Sequence, residues 1–361
     1  MKVRCVTILG DGAMAAVCAN TLAGLGHRVT LWGPFPEHIE TLRATHRNER
    51  YLPAAPRMDE SVRYSADAGE AARGSDLLVC AIPTQFIRSV CVRFVPHLAR
   101  DIPVVSVAKG IECETLLRPT QVIRESLDTG GQAAGGAQAD TGEQAASATQ
   151  TRGTPRKVAA LSGPSIAEEM AMKLPCTLCA ASEDGAFAKE LQSLFSTPWL
   201  RVYTNDDLIG VELAGALKNV IALAAGILDG RKAGYNAKSA LLARGLAEIA
   251  RLGAAMGAKG ETFFGITGVG DLATTCFHPM GRNRRCGEYL GSGMSLEEAQ
   301  AKIQGIVEGV ATTRSVVQLA RRKGVEMPIT EAVHGVLFEG LDAGEAISRL
   351  MTRSPKREKV G

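Results

Sequence analysis

Val3-Arg-Cys-Val-Thr-Ile-Leu9 runs into Gly10-Asp11-Gly12-Ala13-Met14-Ala15, and a small-residue run to Leu25 leads to a second apolar segment, His27 to Trp32. The order is strand, glycine turn, helix, strand. The turn carries the G-x-G-x-x-G/A pattern with alanine in the third place. Gly10 permits the tight turn, Gly12 lets backbone approach a pyrophosphate, and Ala15 allows the helix to pack closely on the strand. The helix that follows offers free N–H groups and a positive dipole end to phosphates. The residues from Gly10 through Ala13 and Met14 to Ala15 therefore read as a cofactor-binding turn for NAD or NADP. An acid at the end of the second strand would mark NAD, and a nearby arginine NADP. The sequence there is Trp32-Gly33-Pro34-Phe35-Pro36, with Glu37 and Arg43 further on, so the choice stays open.

Outward from this unit, short apolar runs recur at Asp76–Ile82, Pro103–Val107, Val158–Ser162 and Pro175–Ala181. Continuous apolar runs suit strands buried on both faces of a parallel sheet. Their spacers are long enough for crossover helices, which predicts an α/β class, doubly wound, Rossmann-type sheet. One spacer, 128–156, is Gly, Ala, Gln, Thr and Ser almost throughout. Such a segment buries too little surface to offset its ordering entropy and is expected to be a disordered insertion. From residue 205 the pattern turns helical. Asn205 is placed as the cap of a first helix to about Leu228, with a second over Ala237–Met256. Ser295-Leu-Glu-Glu298 is a capping-box signal for another, and Asp342–Glu345 resembles one more. The expected division is a dinucleotide-binding domain over 1–204 and a helical substrate-binding and catalytic domain over 205–361.

Composition narrows the function. A chain of 361 residues with 45% apolar and 22% charged residues reads as globular, with length for two domains. A formal charge of +3 argues for neither nucleic-acid nor membrane binding. The longest apolar stretch, Val220–Leu228, is short of the roughly 20 residues that span a bilayer. The first residues read as a strand rather than a signal peptide, and the nine cysteines suit a reducing, cytoplasmic setting. Cys176 and Cys179 form a CxxC, but on a strand they point to opposite faces, and no metal site is expected.

Two lysines carry the chemical signal. Lys218 lies on a helix with Ala214, Gly215, Ile221 and Ala222 around it. Burial there would lower its pKa and suit it to proton transfer with an alcohol or carbonyl. The alternative is a lysine snorkelling from a helix edge to water. Lys109 follows the Pro103–Val107 strand, at the end where ligands of such sheets bind; a plain surface loop is its alternative. Gly265-Ile-Thr-Gly268-Val-Gly270-Asp271 reads as a tight loop where backbone approaches something closely. Gly281-Arg282-Asn283-Arg284-Arg285 sets a basic cluster at a helix start, which suits a phosphate or an exposed basic helix end.

Together these segments resemble the NAD(P)-dependent glycerol-3-phosphate dehydrogenase family over nearly the whole chain outside the insertion. The carriers are Ala108-Lys109-Gly110, Ser162-Gly163-Pro164-Ser165, Gly215-Ala-Leu-Lys218-Asn219-Val, Gly268-Val-Gly270-Asp271-Leu, Arg282-Asn283-Arg284-Arg285, Val307-Glu308-Gly309 and Met327-Pro328-Ile329-Thr330. The resemblance implies a helical second domain like the C-terminal domain of 6-phosphogluconate dehydrogenase. It implies reduction of dihydroxyacetone phosphate to sn-glycerol 3-phosphate with NAD(P)H, feeding glycerophospholipid synthesis, by a homodimer. It assigns proton transfer to Lys218 and a shared substrate and cofactor position to Lys109. Gly163, Ser165, Asp271, Arg282 and Asn283 match substrate positions. Ala167, Arg282 and Glu308 match positions near the nucleotide. The chain departs from the family at Ala13, Met14 and Ala15, at Pro34 and at Gly281. Two other readings keep the plan but not the reaction: a dehydrogenase of another hydroxy acid or ketone, which the basic cluster argues against, and a nucleotide sensor without turnover, which Lys218 and Asp271 argue against.

Overall fold

The structure is a computed structural model describing residues 2–128, 156–355 and 357–358. Among the described residues, eight strands form one sheet in the order β3-β2-β1-β4-β5-β6-β7-β8. They are β1 Cys5–Leu9, β2 Arg28–Trp32, β3 Arg63–Ser65, β4 Leu77–Cys80, β5 Val104–Ser106, β6 Val158–Ser162, β7 Cys176–Ala181 and β8 Leu200–Asn205. β1 to β6 run parallel, and chain order reverses across β1 between β2 and β4. That reversal is the switch point at which doubly wound sheets bind ligands.

The sequence led us to expect a parallel series throughout, and here the structure differs. β7 pairs antiparallel with β6, and β8 then pairs parallel with β7. The link from β6 to β7 holds one short helix, Ala167–Ala171. Five helical residues span about 8 Å, against about 17 Å for a five-residue strand, so this link does not carry the chain back to the far end of the sheet. β3 and β8 were not anticipated. β3 is three residues long, and β8 alternates buried and exposed side chains at the sheet edge.

The flanks of the 128–156 segment are ordered. Asp128 ends the helix Pro119–Asp128, and Arg156 is buried. Arg156 Nε pairs with Asp128 (2.9 Å), and its other nitrogens donate to the carbonyls of Ile102 and Arg100. Residues 129–155, where disorder was expected, lie outside the described residues.

The second half is helical. Its central helix, Leu208–Gly230, is buried along almost all its length. Asp207, not Asn205, caps it: Asp207 Oδ1 accepts from Gly210 N–H, and Asn205 accepts from Asp207 N–H. The helix is long and apolar enough to cross a membrane, but 94% of its most apolar window is buried inside the protein. Its apolar character therefore serves the core. The helix Gly234–Ala255 follows, and the capping box at Ser295 and the Asp342 cap both form. The helix Arg282–Gly291 packs on Leu208–Gly230 through glycines. A Cβ on Gly226 would lie 1.9 Å from the Arg284 carbonyl oxygen, and one on Gly287 2.0 Å from that of Leu223. Only bare backbones fit at that separation.

Candidate active site

The turn after β1 has the predicted form. Gly10 has φ +118°, and a Cβ there would meet the Ala81 carbonyl oxygen at 2.6 Å. Gly12 is the N-cap of the helix Ala13–Gly24, with no side chain capping it and open space where a Cβ would be. Uncapped N–H groups beside an open backbone at the switch point fit a dinucleotide pyrophosphate. Ala15 is fully buried and packs the helix onto β1 and β2, while Ala13 and Met14 remain partly open. Met14 lines a small cavity together with Val107, Lys109 and Ser165, which joins the turn to the lysine site.

Lys218 is 6% exposed on the central helix, so the buried reading of this residue is the one realised. Its ammonium pairs with Asp271 Oδ1 and donates to Thr275 Oγ1 (2.6 Å). Burial pulls its pKa down to about 8. The Asp271 carboxylate opposes that shift, and the Lys109 charge adds to it. Asp271 is 1% exposed and begins the helix Asp271–Phe277, with Thr275 one turn on. Its second oxygen takes Lys109 Nζ (2.8 Å). Lys109 also donates to the Gly163 carbonyl (2.9 Å) and to Ser165 Oγ (3.0 Å). Gly163 holds φ +136°, a conformation glycine adopts without strain, and this presents its carbonyl to Lys109. Five predicted residues, Lys109, Gly163, Ser165, Lys218 and Asp271, thus form one connected group beyond the ends of β5 and β6.

A chain of amides links this group to the Arg282 helix. Asn219 Nδ2 donates to the Lys109 carbonyl (3.0 Å), Asn283 Nδ2 to Asn219 Oδ1 (3.0 Å), and Gly309 N–H to Asn283 Oδ1 (2.9 Å). Glu308 starts the helix Glu308–Lys323 and accepts from Thr84 N–H. Burial raises its pKa, and the charges of Arg282, Lys109 and Lys218 oppose the rise, so it lies within reach of all three. Ala167 opens its short helix two residues after Ser165.

The basic cluster divides. Arg282 is exposed at the helix start, facing Glu308. Arg284 is spent on Asp229 (2.6 Å) and Arg285 on the Tyr289 hydroxyl (2.8 Å). Of the three arginines, only Arg282 is exposed. The 266–270 segment is also not an open loop. It winds as a π-helical turn, and Gly268 makes its close approach to the Phe263 backbone, not to a ligand. Thr275 was not anticipated; its position four residues after Asp271, on the same helix face, was the available signal. Cys176 donates to the Pro164 carbonyl, while Cys179 packs in a separate core cluster, as the opposite faces of a strand require. Among the described residues, no group of three or more His, Cys, Asp or Glu is placed to hold a metal.

Comparison with known proteins converges on one family. The family model for the NAD-dependent glycerol-3-phosphate dehydrogenase N-terminus matches residues 5–188, and that for its C-terminus matches residues 207–348. A glycerol-3-phosphate dehydrogenase (NAD(P)+) of Salinibacter ruber is 45% identical over 353 residues, 98% of this chain and 96% of that one. One of Syntrophotalea carbinolica is 42% identical over 98% of this chain and 99% of that one. The crystal structure of glycerol-3-phosphate dehydrogenase from Coxiella burnetii is 34% identical, covers 97% of this chain and 99% of that one, and superposes with a TM-score of 0.87.

Proposed function

The chain belongs to the NAD-dependent glycerol-3-phosphate dehydrogenase family, and from that premise we propose how its residues divide the work. The enzyme reduces dihydroxyacetone phosphate to sn-glycerol 3-phosphate with NAD(P)H, which supplies the backbone for glycerophospholipids. The nicotinamide, when bound, supplies the hydride to the substrate carbonyl carbon.

Lys218 holds the proton that this carbonyl oxygen takes up as the hydride arrives, and takes it back in the reverse direction. An ammonium with a pKa near 8 gives up its proton far more readily than an ordinary lysine, and its neutral form is accessible at neutral pH. Asp271 keeps Lys218 and Lys109 in one place and offsets part of their mutual repulsion. Lys109 and Arg282 supply positive charge for the substrate phosphate, with Ser165 and Asn283 as neutral hydrogen-bonding groups beside them. Residues 10–15 hold the pyrophosphate, with Ala167 and Glu308 at the nucleotide's edge. The division falls at residue 204: residues 1–204 carry the nucleotide turn and lend Lys109, Gly163 and Ser165 to the substrate, while 205–361 supply Lys218, Asp271, Arg282 and Asn283 and place Glu308 at the nucleotide's edge. The same family reading makes the enzyme a cytoplasmic homodimer, and sedimentation would test the assembly.

One observation carries this reading: a buried lysine, paired to a buried aspartate that also holds a second lysine, at the strand ends beside an uncapped phosphate turn. The test follows loss of NADH or NADPH absorbance with dihydroxyacetone phosphate, for the parent and for Lys218→Ala. Turnover by the parent and its loss in a variant that still binds nucleotide is expected. Undiminished turnover in the variant would remove Lys218 from the proton step.

A further inference from the structure

β2 ends without the acid or arginine that would select the cofactor, and the space where such a side chain would project is already filled. A Cβ on Gly33 would lie 2.7 Å from both the Cβ and the Oδ2 of Asp11. Asp11 comes from the phosphate turn, between Gly10 and Gly12, and is 7% exposed. Its Oδ2 is buried and has no hydrogen-bond partner among the described residues. The backbone around it is fixed: Asn48 Nδ2 donates to the Asp11 carbonyl (2.8 Å), and Gly33 N–H donates to the Ser65 carbonyl (3.3 Å). A second orphan lies close by, since His38 Nε2 is also buried without a partner, and its ring is near enough to act on the Asp11 charge.

A buried carboxylate oxygen left unpaired costs stability and is retained where something outside the chain pairs with it. In doubly wound sheets the group that lies beyond the end of β2 is the adenine-side ribose. We propose that Asp11 reads this ribose from the turn, taking over the role of the missing acid at the end of β2, and so sets a preference for NAD(H) over NADP(H). A carboxylate accepts hydrogen bonds from ribose hydroxyls and repels a 2′-phosphate. Glycine at position 33 is part of the device, because any side chain there would displace the acid. The cation that would suit NADP(H) is Arg50, whose guanidinium lies 5.6 Å from the Phe35 ring centroid and 5.2 Å from that of Tyr51. It is exposed, whereas Asp11 occupies the strand end itself. Arg43 is already committed to Glu40 and to the Tyr64 carbonyl.

The proposal rests on the dehydrogenase reading above, and the test separates the two. NADH and NADPH binding to the full chain is measured by nucleotide fluorescence without substrate, for the parent, Asp11→Ala, Asp11→Asn and the double variant Asp11→Gly with Gly33→Asp, which also removes the Cβ that a side chain at position 33 would meet. The parent is expected to bind NADH at least about tenfold more tightly than NADPH. Asp11→Ala is expected to lose roughly tenfold to a hundredfold in NADH affinity and to gain in NADPH affinity. The double variant, with the acid moved to the strand end, recovers the preference. Asp11→Asn, of the same shape, covers the case in which the alanine variant fails to fold. It should also melt no lower than the parent without nucleotide, because it removes an unpaired charge. A parent that binds NADPH as tightly as NADH, or a preference unchanged in both single variants, overturns the proposal. A preference lost in Arg50→Ala but kept in Asp11→Ala transfers the role to Arg50 and overturns it equally. Binding of neither nucleotide would sink the dehydrogenase reading as well.

Discussion

Two buried charge clusters lie along one face of the Leu208–Gly230 helix, and they have the same make-up. In the first, the Asp271 carboxylate holds the ammoniums of Lys218 and Lys109; in the second, the Asp229 carboxylate holds Lys238 and Arg284. Lys218 and Asp229 are eleven residues apart, which is about three turns and about 16 Å along the same face. Each cluster has two positive charges on one negative. They differ in solvent and surroundings. The Asp271 side chain is 1% exposed and the Asp229 side chain 21%. Water therefore shares the solvation of the second cluster, and Lys238 also rests against the Phe277 ring. The first cluster is centred on the more deeply buried carboxylate, lies at the strand ends beside the phosphate turn, and has hydroxyls and a backbone carbonyl as its other partners. Charge count does not make a proton-transfer site. The proposed proton transfer rests instead on desolvation together with a position beside the cofactor turn.

The largest expected effect breaks the symmetry outright. Lys218→Ala should lower kcat for dihydroxyacetone phosphate by roughly 10²–10⁴-fold, the usual contribution of a positioned acid or base. Circular dichroism and nucleotide binding should stay at parent level. A loss of only a few-fold would mean that water or Lys109 supplies the proton.

Asp271→Asn comes next and acts on stability and on pH together. It leaves two buried ammoniums without their counter-charge, at a cost of about 3–5 kcal/mol at neutral pH. Lys218 has a folded pKa of about 8, below that of an ordinary lysine, so the unfolded chain binds more protons between those values and stability rises with pH there. Without Asp271 the Lys218 pKa falls further, so the variant sheds this buried charge at lower pH than the parent, and its deficit should shrink as pH rises towards about 8. In the parent, the reduction rate needs the ammonium and falls above about pH 8, while the oxidation rate needs the amine and falls below it. Asp271 raises the Lys218 pKa, so both limbs should move to lower pH in the variant. Limbs that stay in place would detach Lys218 from the pH dependence.

Gly287→Ala tests the spacing between the two clusters. Its Cβ would lie 2.0 Å from the Leu223 carbonyl oxygen, so the Arg282–Gly291 helix must shift. Forcing a methyl into packed backbone costs about 1–3 kcal/mol. Arg282 and Asn283 ride on that helix, so KM for the phosphorylated substrate should rise more than kcat falls. A change in stability with KM untouched would mean that the helix does not place these residues at the substrate.

Local signals made the first cluster half legible in the sequence. The turn at Gly10–Ala15 is a contiguous motif whose parts act on one another within six residues, and it formed as read. Lys218 showed as a charge on an apolar helix face. Its partner lies 53 residues away, and only the fold brings Asp271 beneath it. The same distance effect misled at Arg284, whose partner Asp229 lies 55 residues upstream. A row of arginines reads as one phosphate site until its partners are known. Strand direction was not legible either, because the apolar run Cys176–Ala181 reports burial but not orientation. Two acids and an asparagine within Asn205–Asp207 offered competing caps, and Asp207 won because it also accepts from Lys259 N–H and Thr262 Oγ1 across the fold.

The smallest expected effect is the most informative about the comparison. Lys238→Met removes a cation from the second cluster and keeps the side-chain length. Asp229 retains Arg284 at 2.6 Å and stays partly open to water, so no bare charge is left in the interior. With one cation still on a carboxylate that water reaches, the loss is that of a partly exposed ion pair, within about 1 kcal/mol. Melting temperature, kcat and both pH limbs should therefore match the parent. The same kind of change at Lys218 removes the proposed acid of the reaction, so the two lysines, alike in burial and in partner type, should separate by function alone. A fall in kcat in Lys238→Met with the pH limbs unmoved would show that Arg284, losing its neighbour, lets the Arg282 helix drift. A shift of the limbs would show that the two clusters share one field along the helix, and the distinction drawn between them would fail.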